Sequence, residues 1–88
     1  STIFNAIGCR VQVEKMIATG RIDMVVETST IIYVLELKLS NNGGVDAAAE
    51  QIKAKQYAEP FKADKRKVTA LAIELDDLGK GLVAWKAI

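Results

Sequence analysis

Apolar and polar residues alternate along much of this chain, and the spacing turns helical twice. In Arg10–Ile17 (RVQVEKMI), Val11, Val13, Lys15 and Ile17 share one side, and Gln12, Glu14 and Met16 share the other. That period of two predicts a strand. Arg21–Glu27 (RIDMVVE) reads as a second strand, with Ile22, Met24 and Val26 on one side. Thr28–Thr30 makes a turn, and Ile31–Leu39 (IIYVLELKL) is a third strand, rich in the β-branched and aromatic residues that suit a sheet. Its odd positions, Ile31, Tyr33, Leu35, Leu37 and Leu39, are all apolar. Ile32 and Val34 begin the other face, and Glu36 and Lys38 continue it. A strand apolar on nearly both faces belongs in the middle of a covered sheet.

Helical spacing first occurs in STIFNAIGC, where Ile3, Phe4 and Ile7 read as the last turns of a helix stopped at Gly8 and cut short at residue 1. After the loop residues SNNGG, Val45–Glu59 is the clearest helix, alanine-rich, with Val45, Ala48, Ala49, Ile52 and Gln56 on one stripe. Glu50 and Lys53 are spaced to pair, for about 0.3 kcal/mol. Pro60 keeps Glu59 out of helical geometry, so the helix is expected to end near there. FKADKRK is a charged connection. Val68–Leu75 is a fourth strand, with Val68, Ala70, Ala72 and Glu74 opposite Thr69, Leu71, Ile73 and Leu75. DDLGKG turns the chain into a short fifth strand, Leu82–Ile88, expected at an edge. The order is helix remnant, three strands, helix, two strands. This is an α/β domain with a mixed central sheet of about five strands flanked by helices.

Composition narrows the chemistry. The 88 residues suit one domain spanning 1–88, with half of them hydrophobic and a net charge of only +1, which argues against disorder. There is no histidine, and Cys9 is the single cysteine. An intramolecular disulfide, a thiolate or His-ligated zinc site, a Cys–His pair and a Ser–His–Asp triad are therefore excluded. Catalysis must use carboxylates, lysines, hydroxyls or a hard metal ion. No run is apolar enough to span a bilayer and no signal peptide is visible, so no membrane partner and a cytoplasmic setting are the expectation. The chain begins STIFNA without a methionine, as expected of a piece of a larger protein. Lys53, Lys55, Lys62, Lys65, Arg66 and Lys67 form one basic cluster, read first as a solvated loop and helix face.

Three charges stand inside the apolar hairpin: Asp23, Glu36 and Lys38. Glu36 and Lys38 are two apart and share a face. A turn at Thr28–Ser29 would set Asp23 across from Val34, with Glu36 its diagonal neighbour, roughly 7–8 Å away. Sliding the turn by one face-preserving step sets Asp23 directly opposite Glu36. Both registers put the three charges on one face, at the end of the hairpin away from its turn. Two carboxylates that close repel unless something positive lies between them. Lys38 could neutralise part of the charge, and an internal Asp23–Lys38 ion pair is one use of the set. A divalent cation bridging Asp23 and Glu36 is another. Magnesium suits it, because it takes carboxylate oxygens and keeps waters for substrate phosphates. An E-x-K on a strand is also common as edge protection.

GRID, then thirteen positions from Asp23 to the glutamate of ELK, then a helix carrying QIKAKQYAEPF, resembles the PD-(D/E)XK nuclease superfamily. The likeness covers about residues 10–86. It is nearest to the nuclease-like domains found C-terminal to predicted bacterial AAA-type ATPase domains. The resemblance implies a restriction-endonuclease-like core and a metal-dependent nuclease. Asp23, Glu36 and the main-chain carbonyl of Leu37 would hold Mg2+ or Mn2+, and Lys38 would position the attacking water. Gln51 would act in catalysis, reaching toward the lysine or the substrate. Gln51, Lys55 and Tyr57 would contact nucleic acid, DNA foremost. An ATPase domain in the same polypeptide is a further implied partner. An inactive nuclease-fold module that binds nucleic acid or a partner is the alternative. The family's proline is absent, with Ile22 preceding Asp23. Glu14 does not clearly replace the acidic residue that many members carry on the opening helix, and reads as an ordinary strand surface residue.

Overall fold

The computed structural model describes residues 8–17 and 20–88. The expected opening helix lies outside the described residues. Strands β1 (Arg10–Ile17), β2 (Gly20–Glu27) and β3 (Ile31–Leu39) form a meander. A 3-10 turn (Ser40–Asn42) leads into helix α1 (Gly44–Lys55), and β4 (Lys67–Leu75) and β5 (Leu82–Ala87) follow. The five strands make one sheet in the order β1-β2-β3-β4-β5. All neighbours are antiparallel except β3 and β4, which run parallel. Parallel neighbours need a crossover, and α1 supplies it. The fold is α/β, with a mixed sheet of restriction-endonuclease type, and β3 sits at its centre as its two-sided apolar pattern requires.

The β2–β3 turn settles the register. Thr28 N–H donates to the Ile31 carbonyl at 2.8 Å, and the Thr28 hydroxyl oxygen accepts the Thr30 and Ile31 N–H groups. Ser29 and Thr30 are therefore the loop residues, and Val25 pairs with Val34. This is the slid register, not the one set by a Thr28–Ser29 turn.

One face of the sheet packs under α1. Val25, Ile32, Val34, Ala70 and Ala72 are buried there with Ala48, Ala49 and Ile52 of the helix. Alanines on both α1 and β4 let helix and sheet approach closely. β5 is an edge strand, with Val83 and Trp85 more than half exposed. No helix among the described residues is long and apolar enough to cross a membrane.

The helix ends earlier than expected, at Lys55 rather than near Glu59. Gln56 turns left-handed at φ 52 and donates its N–H to the carbonyls of Ile52 and Lys53. The chain then dives inward: Tyr57 is fully buried and Phe61 nearly so. Pro60 sits instead in a separate 3-10 turn, Glu59–Phe61. Tertiary burial of Tyr57, not the proline, sets the boundary.

Candidate active site

The site begins where β2 parts from β3. Their ladder runs from Glu27 opposite Ile32 to Met24 opposite Leu35, and stops. One step further, Asp23 Oδ2 accepts the Leu37 N–H at 3.0 Å, standing in for the backbone partner that β2 no longer supplies. Continuing the register places Asp23 opposite Glu36. The neighbouring β1 is irregular at the same level. Glu14, between the Val13–Met24 and Lys15–Ile22 pairs, has φ 57. It is exposed, as a strand surface residue should be, but its backbone is left-handed, which alternation did not foretell.

On β3, Ile32, Val34 and Glu36 face α1, and Lys38 follows on the same side at the open end of the strand. Asp23, Glu36, Leu37, Lys38, Asn42 and Gln51 line a cleft of about 220 Å³ there. N–H and C=O of one strand residue point to the same neighbouring strand. The Leu37 carbonyl is therefore aimed, like its N–H, into the gap that Asp23 occupies.

Glu36 is 2% exposed, and its Oε2 is buried without a hydrogen-bond partner. A buried carboxylate without full compensation is costly. Its pKa is accordingly pushed up to about 7. Burial is the main cause, followed by repulsion from Asp23, with which it also shares a hydrogen bond. Lys38 and a hydrogen bond with Tyr57 pull the other way.

Helix α1 and the residues after it form the wall behind Glu36. Gln51 Nε2 donates to the Tyr57 hydroxyl at 2.9 Å. Tyr57 also hydrogen-bonds Glu36, and burial raises its own pKa. Three expected substrate contacts change here. Tyr57, expected at the substrate, is 0% exposed and has no surface to offer a ligand. Gln51 lines the cleft, but its amide nitrogen is engaged by Tyr57. Lys55 is exposed and does not line the cleft.

Two cleft-building residues were not singled out from sequence. Asn42 closes the 3-10 turn and lines the cleft. Glu74 reaches from β4 to the start of α1, where Oε1 accepts the Val45 N–H at 2.9 Å and Oε2 accepts the Ser40 hydroxyl at 2.6 Å. The helix has no side-chain cap of its own, so this carboxylate supplies one from across the fold. Those bonds hold the Glu74 carboxyl below its usual pKa. Gly44 makes room for it, having φ 61 and a position where an added Cβ would strike the Glu74 carboxylate. Gly44→Ala is therefore expected to destabilise the protein by at least about 1 kcal/mol, read by urea unfolding.

The basic cluster lies elsewhere. Lys67 pairs with Ile31, and Lys38 lies seven residues further along β3, roughly 23 Å away. Arg66 is held by Asp64 and Glu27 at 2.8 and 2.9 Å and donates to the Thr28 carbonyl, bracing the β2–β3 turn. Lys53 pairs with Glu50 at 3.9 Å and Lys62 with Glu59 at 3.6 Å, all well exposed.

Two carboxylates, one of them carrying an orphaned buried oxygen, and a strand-edge carbonyl make an all-oxygen set that fits a hard divalent cation. Among the described residues no three His, Cys, Asp or Glu side chains gather around one point, so waters or substrate oxygens would complete the coordination.

The model of the PD-(D/E)XK nuclease superfamily matches residues 1–85. An "uncharacterized protein in vnfD 5′ region" of Azotobacter chroococcum mcd 1 is 29% identical over 82 residues, 93% of this chain. The chain spans 16% of that relative's length.

Proposed function

Because the chain belongs to the PD-(D/E)XK nuclease superfamily, we propose that it hydrolyses phosphodiester bonds of nucleic acid, DNA foremost, with Mg2+ or Mn2+ held by Asp23 and Glu36. The observation that carries this reading is the pairing of Asp23 with a buried Glu36 whose Oε2 has no partner. A nuclease-type domain is the family's assignment; dependence on a metal is our inference. The Leu37 carbonyl is the third protein ligand in this scheme. When bound, such a cation lowers the pKa of a coordinated water and offsets charge on a phosphoryl oxygen.

The chain's own groups do the rest. Asp23 is fixed by the Leu37 N–H, which holds its carboxyl group at the cleft wall. Lys38, on the cleft wall beside Glu36, orients the attacking water and stabilises the charge developing as the phosphorus–oxygen bond breaks. Asn42 and the outer edge of Gln51 are the polar surface left for the substrate. Lys65 and Lys67 are too far along the sheet to touch the same phosphate, so they would serve only a longer stretch of backbone.

The test is cleavage of DNA and RNA with Mg2+ or Mn2+ by wild type and by Asp23→Ala. Wild type should cut and the variant should not; equal rates would reject the reading. A second reading is a nuclease fold that binds nucleic acid, or an ATPase domain of the same polypeptide, without cutting. The gathering of only two acidic side chains in the cleft, among the described residues, favours it. It predicts binding of nucleic acid by wild type with no cleavage at any divalent-cation concentration.

A further inference from the structure

The proposed hydrolysis makes no direct use of Tyr57, yet the chain bends out of its way to bury it. Gln56 adopts φ 52, a left-handed conformation that is unfavourable for a non-glycine residue. That turn ends α1 and brings residue 57, fully buried, beneath the helix beside Glu36. A phenol that served only as packing would not need its hydroxyl there.

The hydroxyl has a defined polarity. Gln51 Nε2 donates to its oxygen at 2.9 Å, so the single phenol proton is free to point the other way. Glu36 is the acceptor on that side. Glu36 Oε2 has no hydrogen-bond partner, so the bonds with Tyr57 and with Asp23 both fall on Oε1. The terminal torsion of a glutamate is broad and two-fold, and a carboxylate left alone would rotate.

We propose that Tyr57 is a positioning residue: oriented by Gln51, it pins Glu36 Oε1 and so fixes the rotation of the carboxyl group, leaving the unpartnered Oε2 for the cation. This rests on the reading of Asp23 and Glu36 as cation ligands. The Gln51–Tyr57–Glu36 chain is an outer shell, which fixes a ligand's orientation before the ion arrives. It also gives Gln51 a purpose that needs no direct contact with substrate.

The test is Mn2+ binding, followed through the electron paramagnetic resonance of free Mn2+ at pH 8, with wild type, Tyr57→Phe and Gln51→Met. Loss of an outer-shell partner typically weakens metal binding about 10–100-fold, and Tyr57→Phe should fall in that range. Gln51→Met removes only the group that orients the phenol and should lie near the lower end, about 10-fold. Thermal unfolding of the same proteins without metal separates the roles. A merely structural tyrosine would lower the melting temperature and leave the Mn2+ affinity of the folded protein unchanged. Affinity within about twofold of wild type in Tyr57→Phe overturns the inference. If Tyr57→Phe does not fold, Gln51→Met carries the same criterion. Failure of the underlying reading looks different: wild type itself would bind no Mn2+, or Asp23→Asn would bind it as tightly as wild type.

Discussion

Replacing Glu36 by glutamine is expected to stabilise the metal-free protein at pH 8 while abolishing divalent-cation binding. Glu36 has its pKa raised from 4.5 to about 7 by burial and by Asp23. Between those values the unfolded chain has released a proton that the folded protein still holds. Stability therefore falls as pH rises through that window, and stays reduced above it. The full loss is up to about 3 kcal/mol. The amide introduced by Glu36→Gln is neutral at every pH, so the substitution should remove the decline. Urea unfolding in chelator at pH 5 and pH 8 reads this directly: wild type should weaken across the interval and the variant should not. Asp64 and Glu74, whose pKa values are lowered, act in the opposite sense. Their stabilisation is lost only as pH falls below the ordinary carboxylate range, outside this window. A variant no more stable than wild type at pH 8 would mean that the Glu36 carboxylate is not strained in the folded protein. The gain in stability with loss of ion binding is the expected signature of a group kept for function.

Lys38→Ala should separate chemistry from metal binding. Lys38 lines the cleft and lowers the pKa of Glu36, but lies outside the proposed ligand set. Removing a single charge-stabilising donor typically costs about 10²–10³-fold in rate. Cleavage by Lys38→Ala should fall by that much, with Mn2+ affinity changed only a fewfold because the two carboxylates remain. Asp23→Ala should lose both. Single-turnover cleavage and Mn2+ titration on the same samples distinguish the cases. If Lys38→Ala lost Mn2+ binding as completely as Asp23→Ala, the lysine would be holding the site together rather than serving the reaction.

Much of this geometry follows from strand parity. Side chains alternate between the two faces of a strand, so Glu36 and Lys38 of β3 had to share a face. Asp23 had to join them whichever of the two turns formed. The choice between registers rested on Thr28, whose hydroxyl caps the turn and selects Ser29–Thr30 as the loop. Tyr57 could not be placed because its position depends on Gln56 turning left-handed, a tertiary event without a local signal. Glutamine has no special preference for that conformation, and Pro60 offered a plausible but wrong stop. Glu74 read as one more position of β4, since its role needs the parallel pairing of β3 with β4 and the close approach of α1. Residues 34 positions apart in the chain, Ser40 and Glu74, share that bond. Asn42 carried no signal beyond loop composition.

The central claim is that Asp23 and Glu36 are cation ligands. A crystal of the protein soaked in Mn2+ at pH 8, with anomalous scattering recorded at the manganese edge, tests it most directly. A peak between the two carboxylates, with Glu36 Oε2 and the Leu37 carbonyl turned toward it, is the predicted result. No peak at saturating Mn2+, with the two carboxyl groups still hydrogen-bonded to each other, would contradict it.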